Sequence, residues 1–180
     1  MRFAASHALF VAAALTSAAV PASKALAQQS APGVQGAQAT ADPDRAATLR
    51  AAAESMMTER SHYREAADLL KEASALTPVE DGARADDLHL AASLLFYAGA
   101  IGTAQDIMVQ AADAALARGD ILVAANALVD AGWLASQRHG AADARTLAFR
   151  ALHLAASPLL SDDQRDAIRK RVVLAGLEHA

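Results

Sequence analysis

Residues 63–78 carry apolar and polar side chains with the period of an amphipathic helix. Ala66, Leu70 and Ala73 recur at spacings of three and four, and the two alanines occupy positions at which a neighbouring helix would come closest. Pro78 ends the segment, since proline disfavours helix in the residue before it. The pattern predicts a helix of about residues 62–76 that packs closely against another helix.

The same spacing of small residues returns around Ala104 and again around Ala144, at a period of about 38–40 residues. Self-similarity in that range is typical of stacked helical hairpins. A stack of this kind builds a surface that can hold another molecule, and it carries no chemistry by itself.

Capping and breaking residues divide the rest of the chain into further helices. Asp42-Pro43 has the form of an N-cap followed by proline, Gly119-Asp120 that of a C-terminal glycine followed by an N-cap, and Ser161 with Gln164 that of a capping box. The acidic pairs Asp86-Asp87 and Asp162-Asp163 sit at predicted helix starts, where the helix dipole explains them. The predicted helices cover about residues 43–60, 62–76, 84–98, 103–117, 121–137 and 141–156, with a final helix from Ser161 to about residue 178.

The N-terminus has the pattern of a secretory signal peptide. A short basic start is followed by an uncharged apolar run from Ala8 to Val20, and Ala25-Leu26-Ala27 supplies small residues for cleavage before Gln28. The run of about 13 residues is too short to cross a bilayer as a helix. We therefore expect residues 1–27 to be a signal peptide, residues 28–41 a flexible tether and residues 42–180 an all-helical domain, periplasmic or secreted, with no stable membrane insertion after cleavage.

Composition and charge exclude some classes of function. The chain has no cysteine, which excludes thiol catalysis and cysteine metal sites. Removal of residues 1–27 takes away Arg2 and Lys24, so 16 basic residues become 14 against 20 acidic ones, a net charge of about −6. That balance argues against a nucleic-acid partner.

Residues 43–178 resemble a tetratricopeptide-repeat solenoid of about three antiparallel hairpins plus a C-terminal capping helix, an all-α fold. The period exceeds the 34 residues of that family, and the first helix of the first unit matches poorly, so an unrelated antiparallel bundle is the alternative. The positions that fit are Tyr63, Ala66, Leu70, Ala73, Leu76 and Pro78 in the first unit, Leu88, Ala91, Ala92, Leu95, Gly99, Ala104, Met108 and Ala111 in the second, and Leu128, Ala131, Gly132, Ala135, Ala144, Ala148 and Ala151 in the third.

The resemblance implies a groove lined by the first helix of each hairpin and a protein or peptide partner held there. Asn126 would suit a peptide backbone, because its side chain both donates and accepts hydrogen bonds. Trp133 would offer a large apolar face, although a tryptophan at helical spacing is also a common core residue. The groove residues implied by the register are Asp86, His89 and Phe96 in the second unit and Asn126, Val129 and Trp133 in the third.

No pattern in the sequence indicates an enzyme, a cofactor or a metal site. Asp86 and His89 share a helical face, but a metal site needs three or four ligands and no third has an assigned place. Nucleophile elbows and phosphate-binding loops are missing as motifs. We therefore expect an exported interaction module. The alternatives are an assembly subunit that self-associates through alanine-rich helix faces and, more weakly, a small exported enzyme or ligand carrier.

Overall fold

The computed structural model describes residues 41–177, which form a stack of α-helices with no strand in that range. The predicted signal peptide and almost all of the predicted tether lie outside the described residues. The helices are α1 (Pro43–Met56), α2 (Tyr63–Leu76), α3 (Ala83–Tyr97), α4 (Ile101–Ala117), α5 (Ile121–Gln137), α6 (Ala141–Ala155) and α7 (Asp162–Leu174), with a short 3₁₀ turn (Arg60–His62) before α2.

Each helix packs against the next one along the chain, from α1 through to α7, and α7 also contacts α5. Short connections make successive helices antiparallel neighbours. The order therefore gives three hairpins, α1 with α2, α3 with α4 and α5 with α6, followed by α7 at the C-terminal end. This confirms the predicted all-α fold of stacked hairpins with a C-terminal helix, and it is compatible with a helical-repeat solenoid.

Alanine supplies the close approach between the helices. In α5 and its neighbours most buried positions are alanine, and their side chains are almost completely excluded from solvent. Gly132 also allows a close approach, because a methyl group there would lie 3.0 Å from Leu177 Cδ1 and 3.4 Å from the carbonyl oxygen of Ala144. Larger side chains then fill the layers between helices, with Met108, Leu128, Leu134 and Ile168 among the largest that are fully buried. The sequence makes this possible with few aromatic residues, since small side chains allow short interaxial distances.

The predicted caps are confirmed. The side chain of Asp42 accepts from the N–H of Arg45, that of Asp120 accepts from Val123, and Ser161 and Gln164 form a complete capping box. The first helix is shorter than predicted and ends at Met56. There the N–H of Met57 is shared between the carbonyls of Ala53 and Glu54, which tightens the last turn before the chain enters the 3₁₀ turn.

Three of the connections between helices use the same C-terminal motif, with a residue of positive φ that follows the C-cap. Gly99 and Gly119 take this position after α3 and α4, at φ of 79° and 83°. After α5 the position falls on His139 at φ 60°, and not on the neighbouring Gly140. Its N–H bonds the carbonyl of Ser136 while that of Gly140 bonds Ala135, the paired bonds of a Schellman motif. His139 is therefore the one of these three residues that carries a β-carbon while its backbone lies in the left-handed region.

Replacement of His139 by glycine should stabilise the fold by about 1 kcal/mol, because glycine adopts positive φ without the steric penalty of a β-carbon. His139 is exposed, so little packing is lost. Thermal unfolding followed by far-ultraviolet circular dichroism would measure the change. The matched control is Gly119→Ala, which places a β-carbon at φ 83° and should lower stability by a similar amount. An unchanged or lowered melting temperature for His139→Gly would contradict the strain at this residue.

One buried ion pair joins α1 to α3. The guanidinium of Arg50 makes a bidentate contact with Asp87, with Nε to Oδ1 and a terminal nitrogen to Oδ2 both at 2.8 Å, and it also donates to the hydroxyl of Thr77. Burial raises the pKa of Asp87 above its usual range, and the hydrogen bond and charge of Arg50 only partly offset this. The dipole interpretation of the Asp86-Asp87 pair was therefore incomplete, since Asp87 is a buried partner of a residue 37 positions earlier.

Candidate functional site

Side chains of three odd-numbered helices, α3, α5 and α7, meet on a common surface. Links run from α3 to α5 through His89 and Asp130, whose Nε2 and Oδ2 atoms are 3.4 Å apart, and from α5 to α7 through Asp130 and Arg171 at 2.6 Å. We call the surface formed by His89, Phe96, Asn126, Asp130, Trp133 and Arg171 the odd-helix face. It is the counterpart of the groove that the resemblance implied.

Four of the six predicted groove residues come together on the odd-helix face. His89 contacts Asp130, and the amide oxygen of Asn126 accepts a hydrogen bond of 2.7 Å from Arg171. Phe96 and Trp133 form an edge-to-face pair with ring centroids 5.1 Å apart. Both rings are half-buried and also pack on the core, so the core role considered for Trp133 is present in part.

The other two predicted residues are placed differently from each other. Asp86 is exposed on α3, one turn before His89 along the same stripe. Val129 is only 2% exposed and belongs to the hydrophobic core, so it is not available to a partner and we withdraw it from the candidate site.

Asp130, the residue after Val129, is the one that faces α3, and the sequence reasoning missed it. Asn126 and Val129 were predicted three residues apart on one stripe, whereas the structure continues that stripe four residues after Asn126, at Asp130. Neighbouring residues on a helix point about 100° apart, so an error of one position exchanges a surface side chain for a core one. Arg171 was missed for another reason. It lies on the C-terminal helix, outside the hairpin helices from which the groove residues were chosen, and only the packing of α7 on α5 shows that it reaches Asn126 and Asp130.

Aromatic rings extend the odd-helix face toward α2. Tyr97 makes edge-to-face contacts with Phe96, at a centroid distance of 5.3 Å, and with Tyr63 of α2, at 6.5 Å. With Trp133 this gives four aromatic rings from three helices, in a chain that has few aromatics. Such pairs stabilise packing by about 1 kcal/mol each beyond the area they bury. Tyr97 is also among the exposed large apolar residues, so part of the cluster is accessible.

The polar groups of the odd-helix face are engaged with one another and with the backbone. The hydroxyl of Ser93 donates to the backbone carbonyl of His89, so it makes no nucleophile–base contact with the imidazole ring. Asp130 is engaged by Arg171 as well as by His89. Within residues 41–177, no group of three or more histidine, aspartate or glutamate residues is positioned to hold a metal ion. The same range contains no helix of sufficient length and hydrophobicity to span a bilayer.

A second candidate surface lies along the even-numbered helices, and no pattern in the sequence pointed to it. A cleft of about 550 Å³ opens between α4 and α6 over α5, and one of about 400 Å³ opens between α6 and α7. Phe149 of α6 lines both clefts and is 77% exposed. A third cleft of about 500 Å³ lies between α2 and α4.

Comparison with known proteins leaves the chain without an assigned family, since no family model, no curated protein and no solved structure matches it. The resemblance to tetratricopeptide repeats rests on the residues that fit its pattern and on the stack of hairpins that they form.

Proposed function

We propose that this chain is an exported interaction module, built from diverged tetratricopeptide-like hairpins, that binds a segment of a partner protein on its odd-helix face. One observation carries the proposal: aromatic and hydrogen-bonding side chains from α3, α5 and α7 meet on that face. The fold adds support, since stacked hairpins build extended surfaces for binding.

The chemistry of the face suits an extended peptide. Tryptophan and tyrosine dominate binding hot spots. Trp133 lies about one helical turn after Asp130 on α5, and Phe96 packs against both Trp133 and Tyr97. Arg171 fixes the amide oxygen of Asn126, and the amide nitrogen bonds no other described residue, so it is available to donate to a peptide carbonyl.

The two alternative functions have less support. Self-association through alanine-rich faces would need exposed alanine faces, and the described structure uses many of its alanines between its own helices. An enzyme or ligand carrier would need converging catalytic groups or an enclosed pocket, whereas the two clefts beside α6 are lined by no carboxylate.

We expect the exposed stripe of α3 to control capture of the partner. In affinity purification of the full-length chain from its own host, Asp86→Arg should lower recovery of the partner at least about tenfold, because charge reversal at a binding surface opposes the groups that complement it. Trp133→Ala should also weaken capture by removal of a hot-spot side chain. The matched control is Asp106→Arg on α4, an exposed aspartate that lies on an even-numbered helix.

Asp86 borders the odd-helix face one turn before His89, so equal recovery of the partner by wild type, Asp86→Arg and Asp106→Arg would remove that face as the binding surface. If Trp133→Ala loses helical content or cooperative thermal unfolding, its effect reports on the core, and Asp86→Arg alone then decides the question. The mass of the same purified chain tests export, since a mature form should begin at Gln28 and a chain that still begins at Met1 would contradict it.

A further inference from the structure

The exposed side of α6 carries apolar and basic side chains that are not part of the odd-helix face. Phe149 stands 77% exposed between the two clefts, and Leu152 and Val173 line the cleft on the α7 side. Leu116, Leu128 and Leu154 line the cleft on the α4 side. A single exposed apolar residue is ordinary, but an exposed phenylalanine flanked by two apolar clefts is typical of a docking surface.

The charge of this surface is opposite to that of the whole chain. The charged residues that line the two clefts are Arg145, Arg150 and Arg169, with His153 beside them, and no aspartate or glutamate lines either cleft. The chain as a whole carries 20 acidic residues against 16 lysines and arginines. Apolar surface with a basic rim therefore stands out locally from an acidic protein.

Arg145 places a positive charge at the edge of both clefts. It lines both clefts together with Phe149, and the two residues are one helical turn apart on α6. Arg150 is paired with Asp113 and Arg169 with Asp166, but Arg145 forms no ion pair with any other described residue. Its guanidinium is thus available for a carboxylate from outside, which it can engage through two parallel hydrogen bonds.

We propose that this α6 surface, formed by Arg145, Phe149, Leu152, Arg169 and Val173, docks an acidic amphipathic segment of a partner protein. Apolar side chains of that segment enter the clefts on either side of Phe149, and a carboxylate of the segment pairs with Arg145. The clefts, of about 400 and 550 Å³, are as large as pockets that take small molecules (about 300–1,000 Å³), so each has room for apolar side chains of a docked segment. The surface lies on different residues from the odd-helix face and does not depend on it.

Photo-crosslinking in the intact host tests the occupant. Phe149 is replaced in the full-length chain by a photoreactive benzophenone analogue, and the crosslinked segment is identified by mass spectrometry. We expect a segment of another protein that combines net negative charge with apolar residues at helical spacing. The position control is the same analogue at Leu159, which is comparably exposed at 78% but lines neither cleft.

Charge complementarity is tested on the same crosslink. Arg145→Glu should lower its yield at least about tenfold, since the pairing becomes repulsive. Lys170→Glu, a change of the same sign on α7 outside both clefts, should leave the yield unchanged. Circular dichroism of each variant checks that the stack is intact.

Other outcomes would overturn the proposal. A crosslink to a second copy of this chain indicates self-association, and a crosslink to lipid indicates a membrane surface. A crosslinked partner segment without acidic residues would contradict the proposed charge complementarity. Equal crosslinking from the positions of Phe149 and Leu159 would contradict docking at the α6 surface. The variants that test the odd-helix face lie on α3 and α5. A negative crosslinking result at the α6 surface therefore leaves the affinity-purification test of that face unaffected.

Discussion

Replacement of Arg50 by methionine should destabilise the fold by about 3 kcal/mol at neutral pH, because it leaves the carboxylate of Asp87 buried without its partner. The side chain of Asp87 is 7% exposed and that of Arg50 is 30% exposed, so the pair is largely shielded from solvent. The hydroxyl oxygen of Thr77, which is also buried, loses the hydrogen bond that it accepts from Arg50. Urea unfolding followed by circular dichroism would measure the loss.

The penalty should depend on pH in a definite direction. In the wild type burial already raises the pKa of Asp87, and the hydrogen bond and charge of Arg50 are what restrain it. Without Arg50 that pKa rises further, so the folded variant binds the proton more tightly than the unfolded chain does. Stability of the variant is then retained below the ordinary aspartate pKa of about 4 and is lost as pH rises through the raised pKa. The difference from wild type should therefore be small near pH 4 and complete by about pH 7.

The matched control lies on the same helix. Arg45 pairs with Glu72 at the surface, so Arg45→Met should change stability by less than about 1 kcal/mol. The double variant Arg50→Met with Asp87→Leu should recover most of the loss, since an apolar pair can replace a buried ion pair. A penalty that is equal for the two arginines, or that does not vary with pH, would contradict the role assigned to Asp87.

The fold could be predicted from the sequence because its determinants are local. Asp42, Asp120 and Ser161 cap helices through atoms within three residues, and glycine or proline ends most of the segments between them. Alanine at helical spacing then indicated which faces pack. Each of these signals acts within one or two turns, so a single sequence is sufficient to place the helices.

The sites depend on distances that the sequence does not fix. Asp87 and Asp130 are separated from their partners Arg50 and Arg171 by 37 and 41 residues, and an error of one residue along α5 selected Val129 in place of Asp130. Phe149 was hidden for a related reason. Periodicity indicates on which face of its helix an apolar residue lies, but only the positions of the neighbouring helices show that Phe149 is left uncovered.

Ile168→Ala should destabilise the fold by about 3 kcal/mol, the usual scale for removal of a fully buried aliphatic side chain. Ile168 is the largest fully buried residue of α7, and with Val172 and Leu177 it joins the C-terminal end to the core. Contact between α7 and both α5 and α6 makes this helix a structural cap, since its removal would expose apolar surface on the last hairpin. Thermal and urea unfolding would give the change in stability.

Val173 provides the control, because it lies on the same helix but is 50% exposed, and Val173→Ala should change stability by less than about 1 kcal/mol. If the stack unfolds as a unit, Ile168→Ala should lower the single transition without splitting it, since α7 and the first hairpins then share one cooperative core. A separate early transition in that variant would instead show that α7 detaches alone, as nearest-neighbour coupling permits in repeat proteins. Equal effects of the two substitutions would contradict the burial of Ile168 and with it the role of α7 as the cap. The contrast is informative because Val173 also lines the cleft beside Phe149: a change that leaves stability intact can then be used to probe binding there.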